Sequence, residues 1–171
     1  LHARVHTLLL RQPAVSARQL AFVYGGDLWV SDRDGRQPRR LTHHAAAEFA
    51  PKFSPDGRWI AFSASYDGNT DVYVIPSSGG QARRLSWHSA PDVVSGWSAD
   101  GQRVLFASPR EVLNNRSNQL YEVPLQGGFE RKLMEAVAYE GSWSADGQWL
   151  AYRPYRQAYN GTAGWRQSRG G

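Results

Sequence analysis

Phe53-Ser54-Pro55-Asp56-Gly57-Arg58-Trp59-Ile60-Ala61-Phe62-Ser63 decides the fold, because it holds a turn, a strand and a repeat in one stretch. Pro55 presets φ for the first central turn position, and Asp56 bonds nearby backbone. Gly57 supplies the positive φ that a three-residue hairpin loop with a bulge requires. The residues after it alternate as a half-buried strand does. The stretch then recurs as Trp97-Ser98-Ala99-Asp100-Gly101-Gln102-Arg103-Val104-Leu105-Phe106 and as Trp143-Ser144-Ala145-Asp146-Gly147-Gln148-Trp149-Leu150-Ala151-Tyr152. A worn copy, Val15-Ser16-Ala17-Arg18-Gln19-Leu20-Ala21-Phe22, lacks the Asp-Gly turn. The equivalent serines are 16, 54, 98 and 144, so the steps are 38, 44 and 46 residues. Repetition at that period points to propeller blades or a solenoid.

Each unit reads the same way. A first strand ends in Ser-x-Asp-Gly, a second alternates, a third is of Asp/Gln-hydrophobic-Trp/Tyr-Val type, and a short fourth holds Arg-x-Leu. In the second unit the last three cover Trp59 to Ser63, Asp71 to Ile75, and Ala82 to Ser86. Short strands rich in β-branched and aromatic residues, at regular spacing with turn signals, predict an all-β chain. Aromatics recur at fixed places: Phe53, Trp97 and Trp143; Phe22, Phe62, Phe106 and Tyr152; Trp29, Tyr73 and Tyr121. One unit cannot bury both faces of its sheet, so these are expected to form a core between neighbouring units. The units are placed at 14–50, 51–93, 94–138 and 139–171, with 1–13 as an N-terminal arm lacking a repeat equivalent. The chain starts at Leu1 and stops partway through the fourth repeat, so it is expected to be a piece of a longer protein.

Composition narrows the chemistry. The 171 residues carry a formal net charge of +5, and 18 of the 20 basic residues are Arg, with Lys52 and Lys132 the two lysines. A nucleic-acid binder concentrates such charge on one face; here it is spread through every repeat, so no nucleic-acid partner is expected. No apolar run approaches the eighteen residues a membrane helix needs, so no membrane partner is expected either. There is no cysteine, which removes disulfides and thiol chemistry. No Gly-x-Ser-x-Gly and no phosphate loop is present. The five histidines have no metal-ligand spacing, and Asp32-Arg33-Asp34-Gly35 opens like a calcium loop without its later acid, so it reads as a turn. No cofactor, metal or catalytic residue is expected. Asn115-Arg116-Ser117 and Asn160-Gly161-Thr162 fit a glycosylation pattern but read as turns.

The aligned units resemble the propeller repeats of the TolB and tricorn group. The shared pattern is Ser-Pro-Asp-Gly, Ile-Ala-Phe, Asp-hydrophobic-Tyr-Val, Gly-Gly and Arg-Leu-Thr/Ser. Leu10 to Ser16, Ala21 to Val30, Arg84-Leu85-Ser86-Trp87-His88, Asp92 to Trp97 and Gln119 to Leu125 are similar to the N-terminal propeller of tricorn-type peptidases. That resemblance implies about three and a half four-stranded blades of a six-bladed ring. It further implies a homo-oligomeric cytoplasmic serine peptidase as the parent, with the propeller serving peptide access or exit, or scaffolding of other domains. None of that family's catalytic Ser or His positions falls in this stretch. A periplasmic propeller of TolB type, binding partner proteins, and the propeller of a prolyl-oligopeptidase-like hydrolase are the alternatives.

The variable segments, where function usually resides on a rigid scaffold, are Thr42 to Ala50, Trp87 to Val93, Pro109 to Asn118, Glu135 to Ala138 and the stretch from Pro154 onward. Strand order puts all of them on the rim opposite the Ser-x-Asp-Gly turns. They carry His43, His44, His88, Asp92, Glu111, Arg110 and Arg116. Arg suits bidentate capture of a peptide carboxylate, so Arg110 and Arg116 are the leading candidates for contact with peptide or a partner domain.

Overall fold

The structure, a computed structural model, describes residues 10–112, 117–154 and 166–169. Its fifteen strands fall into four antiparallel sheets, each in simple sequence order. The first sheet holds β1 (Arg11–Val15), β2 (Gln19–Tyr24), β3 (Asp27–Asp32) and β4 (Arg39–Arg40). The second holds β5 (Glu48–Phe53), β6 (Trp59–Ala64), β7 (Asp71–Pro76) and β8 (Arg83–Arg84). The third holds β9 (Val93–Trp97), β10 (Arg103–Ser108), β11 (Gln119–Pro124) and β12 (Arg131–Lys132). The last holds β13 (Ala138–Trp143), β14 (Trp149–Pro154) and β15 (Arg166–Arg169). These are propeller blades, with the first strands of successive blades lying side by side.

The serine of each turn organises the hairpin that follows. Ser54 Oγ accepts from Trp59 N at 3.0 Å and donates to Asp56 Oδ1 at 2.6 Å. Asp56 Oδ1 also accepts from Arg58 N, and Gly57 takes φ 72°. Ser98 with Asp100, and Ser144 with Asp146, repeat the arrangement. In the worn first copy Ser16 Oγ still accepts from Gln19 N at 2.9 Å, so the serine alone can close the turn.

The first strands differ from the sequence expectation. Arg11 to Pro13 belong to β1 rather than to a separate arm, pairing Arg11 with Val23 across an irregularity. Glu48 to Ala50 belong to β5 rather than to a variable loop, so the second blade starts before residue 51. The cause is the same in both. Gln12 and Ala50 sit at φ 51° and 53°, each before a proline, where the ladder slips register. Such a bulge breaks the two-residue alternation that reveals a strand. Residues 1–9 lie outside the described residues.

Three apolar clusters fill the joints between blades. Ile60, Phe62, Ala64, Tyr73 and Ile75 pack on Ala21, Leu28, Val30 and Leu41 of the first blade. Ala61, Val72, Val74 and Leu85 pack on the third blade's Val94, Trp97, Val104 and Phe106. Leu105, Ala107 and Leu120 meet Ala138, Leu150 and Tyr152 of the fourth. Alternate residues of one strand therefore serve two different joints. Most of the recurrent aromatics are core, with Phe62 and Phe106 wholly buried, while Trp29 is only half-buried and outside the three clusters.

Polar clasps cross the same joints. Arg39 Nη2 donates to the Ser77 carbonyl, and the equivalent Arg83 Nη2 donates to the Leu125 carbonyl, both at 2.5 Å. Ser63 Oγ accepts from Val94 N, and Ser95 Oγ accepts from Gly141 N. Gly141 gives room there: a Cβ would lie 2.7 Å from Leu120 Cδ1, so that side chain would have to shift.

Candidate functional site

Antiparallel order places the loops after each second strand on the same rim as the connections between blades. Backbone bonds join them: Glu48 N to Gly26 O, Asp92 N to Thr70 O, and Ala138 N to Asn118 O, each 2.8 Å. This is the rim that carries the residues singled out from sequence.

Most of those residues turn out to be occupied with the fold. Asp92 is fully buried, and Arg110 donates through Nη2 to both of its carboxylate oxygens, at 2.8 and 2.7 Å. The Arg110 side chain is only 8% exposed and lies over the Phe106 and Tyr121 rings, 5.1 and 4.8 Å from their centroids. Arg110 thus holds a carboxylate, as its chemistry suggested, but the carboxylate belongs to this chain. His44 and His88 are turn caps at equivalent places: Nδ1 accepts from Ala46 N in one and Ala90 N in the other. His43 is exposed on the same connection as His44. Arg116 lies outside the described residues. Among the described residues, no group of three or more His, Asp or Glu is arranged to hold a metal ion.

The equivalent place in the second blade holds a latch of different chemistry, which the sequence did not reveal. Glu48 stands where Asp92 does, and Tyr66 where Arg110 does. Tyr66 O–H donates to Glu48 Oε1 at 2.5 Å, while Glu48 Oε2 accepts from the Thr42 hydroxyl and from Leu28 N. Tyr66 lies against Tyr73 and beneath the His44 ring. Burial and then the Glu48 hydrogen bond push its hydroxyl pKa well above the ordinary phenol value. Asp71 is also fully buried; its carboxyl pKa is raised by burial, against the pull of Arg84 2.7 Å away. Each perturbed group is held by a partner, Tyr66 by Glu48 and Asp71 by Arg84.

An open cavity lies at the axis. The first strands β1, β5, β9 and β13 line a hollow of about 900 Å³. Its walls are uncharged, with the aromatic Phe49, Phe53, Trp97 and Tyr139 among them, apart from Lys52, Glu140 and Arg153. Arg153 Nη2 lies 3.2 Å from Glu140 Oε1 and over the Tyr139 ring, so that pair is mutually satisfied. Lys52 is exposed, and its ammonium makes no ion pair among the described residues. Its backbone carbonyl accepts from Trp97 Nε1 at 2.9 Å, which fixes the strand it stands on.

The match to known proteins settles the lineage. The family model described as the tricorn protease N-terminal beta propeller domain matches residues 7–171. The chain belongs to this family. A tricorn protease homologue of Streptomyces coelicolor is 45% identical over 56 residues, which is 32% of this chain and 5% of that protein. The Tol-Pal system protein TolB of Desulfosudis oleivorans is 28% identical over 74 residues, 41% of this chain and 17% of that protein. The chain thus spans less than a fifth of either relative.

Solved structures support the propeller fold. A TolB of Agrobacterium tumefaciens superposes with a TM-score of 0.78 at 22% identity, covering 95% of this chain and 58% of that one. The tricorn protease superposes at 0.74 and 22% identity, covering 85% of this chain and 15% of that one. At such identities the likeness speaks for the fold alone. No helix among the described residues is long and apolar enough to cross a membrane.

Proposed function

We propose that this propeller is a non-catalytic region of a tricorn-type serine peptidase and that it handles peptide along its axis. The observation that carries the reading is the hollow of about 900 Å³ lined by the first strands, beside a rim on which Arg110 and Asp92 are already paired with each other. A volume of that order falls in the range of small-ligand sites. Peptide is the substrate class that family membership favours, and the parent would work where tricorn homologues do, in the cytoplasm.

The 171 residues contain no cysteine, so with any cysteines elsewhere in the full-length protein replaced, a single thiol can be placed in the hollow. In the full-length protein, Ser142→Cys labelled with a bulky maleimide would obstruct the axis. Peptide kcat/KM is expected to fall about tenfold, while labelling of the catalytic serine by a fluorophosphonate stays unchanged. Unaltered kcat/KM would remove the axial route. The TolB likeness favours a second reading, an interaction module that binds partner proteins on its rim. That reading would be supported if the plugged protein kept full turnover while substitutions on the rim abolished capture of a partner.

A further inference from the structure

We infer that Lys52 makes the axial hollow selective for peptide carboxylates, an inference that rests on the peptide reading above. The repeats show why this lysine stands out. Aligned by their serines, the positions equivalent to Lys52 are Ala14, Gly96 and Ser142 in the first strands of the other blades. All four line the hollow. At this level of the ring, therefore, the neighbours on either side are an alanine and a glycine, and neither has a side chain long enough to cover the ammonium. Arg110 and Arg84, by contrast, are taken up by the buried carboxylates of Asp92 and Asp71. Lys52 has no such partner among the described residues, and the other cation of the hollow, Arg153, is engaged by Glu140.

A compact, well-hydrated ammonium on a flexible stem suits a mobile anion better than a fixed bidentate one. Peptides supply that anion from two sources, the C-terminal carboxylate and the side chains of Asp and Glu. Walls made of strand edges offer backbone N–H and C=O groups to an extended chain, and Lys52 adds a positive charge that favours acidic over neutral chains. The attraction acts within a Debye length, so it weakens as salt is added.

Three fluorescein-labelled pentapeptides test this by fluorescence polarisation on the full-length protein with its catalytic serine capped by a fluorophosphonate: a neutral C-terminal amide, its free acid, and the amide with a central Glu. The acid forms are expected to bind about threefold to fivefold tighter than the neutral amide, the range of an exposed charge pair. Lys52→Gln should erase that difference and Lys52→Arg should keep it. A gain for the free acid alone identifies the terminus as the recognised group, and a gain for the Glu peptide alone identifies the side chain. If the neutral amide binds the native chain as tightly as both acids, the role of Lys52 is overturned while axial binding stands. If none of the three binds, the peptide reading itself fails, and this inference with it.

Discussion

The second and third blades solve one problem in two ways. Each must fasten the start of its first strand to the loop after its second strand, against the preceding blade. The second blade uses Glu48 with neutral donors, Tyr66, Thr42 and the Leu28 amide. The third uses Asp92 with the guanidinium of Arg110. In both, the partner side chain lies on an aromatic pair, Phe62 and Tyr73 in one, Phe106 and Tyr121 in the other. What the repeats preserve is a buried acceptor and a donor that reaches it across aromatic rings. The identity of the residues was free to change, and with it the electrostatic risk. Tyr66 can be lost without stranding a salt-bridged charge, whereas Arg110 cannot.

That difference sets the order of expected effects. Arg110→Ala leaves Asp92 buried without its counter-ion, and stability should fall by about 3–5 kcal/mol, the cost of breaking a buried pair. Urea unfolding followed by circular dichroism would measure it. Installing the second blade's chemistry, Asp92→Glu with Arg110→Tyr, should recover part of that loss. If the double variant is no more stable than Arg110→Ala, the two latches are not equivalent. Tyr66→Phe removes one donor from Glu48, which keeps Thr42 and Leu28, and should cost about 1 kcal/mol. A loss as large as that of Arg110→Ala would break the comparison.

The smallest effect concerns the opposite rim. The serine hydroxyls, followed by backbone N–H groups, hold the carboxyl pKa values of Asp56, Asp100 and Asp146 below the usual 3.8. A depressed folded pKa gives stability that is present above the unfolded value and lost as pH falls through the folded one. These exposed turns should therefore weaken only as pH drops below about 3.8, with the amide shifts of Arg58, Gln102 and Gln148 moving together in a titration. Asp71, raised by burial, works in the other direction, its contribution declining as pH rises above the ordinary carboxylate range. A transition of the three turns near pH 5 would contradict the assignment.

The architecture was legible because the turn chemistry is local and repeats. Ser, Asp and Gly do the same work at 54–57, 98–101 and 144–147, and the second and third strands fell within a residue or two of expectation. The first strands were harder, because bulges at Gln12 and Ala50 interrupt their alternation. The site was harder still. Arg110 and Asp92 are eighteen residues apart, and their counterparts are a tyrosine and a glutamate, so alignment of the repeats hides that they form one pair. The only signal for Lys52 is a mismatch: a long charged residue where the other repeats carry Ala14, Gly96 and Ser142. Looking for what fails to repeat at an inward-facing position would have found it.

The clasps from Arg39 to the Ser77 carbonyl and from Arg83 to the Leu125 carbonyl have a bearing on how such rings arise. Their acceptor is main chain, and no substitution can delete a carbonyl. An arginine carried in one duplicated unit finds its partner on any neighbour that keeps the strand, whatever residue stands there. Ser77 and Leu125 share no side-chain chemistry, yet they serve alike. Tandem copies can therefore drift apart in sequence without a matching change next door, which is how units this divergent remain joined.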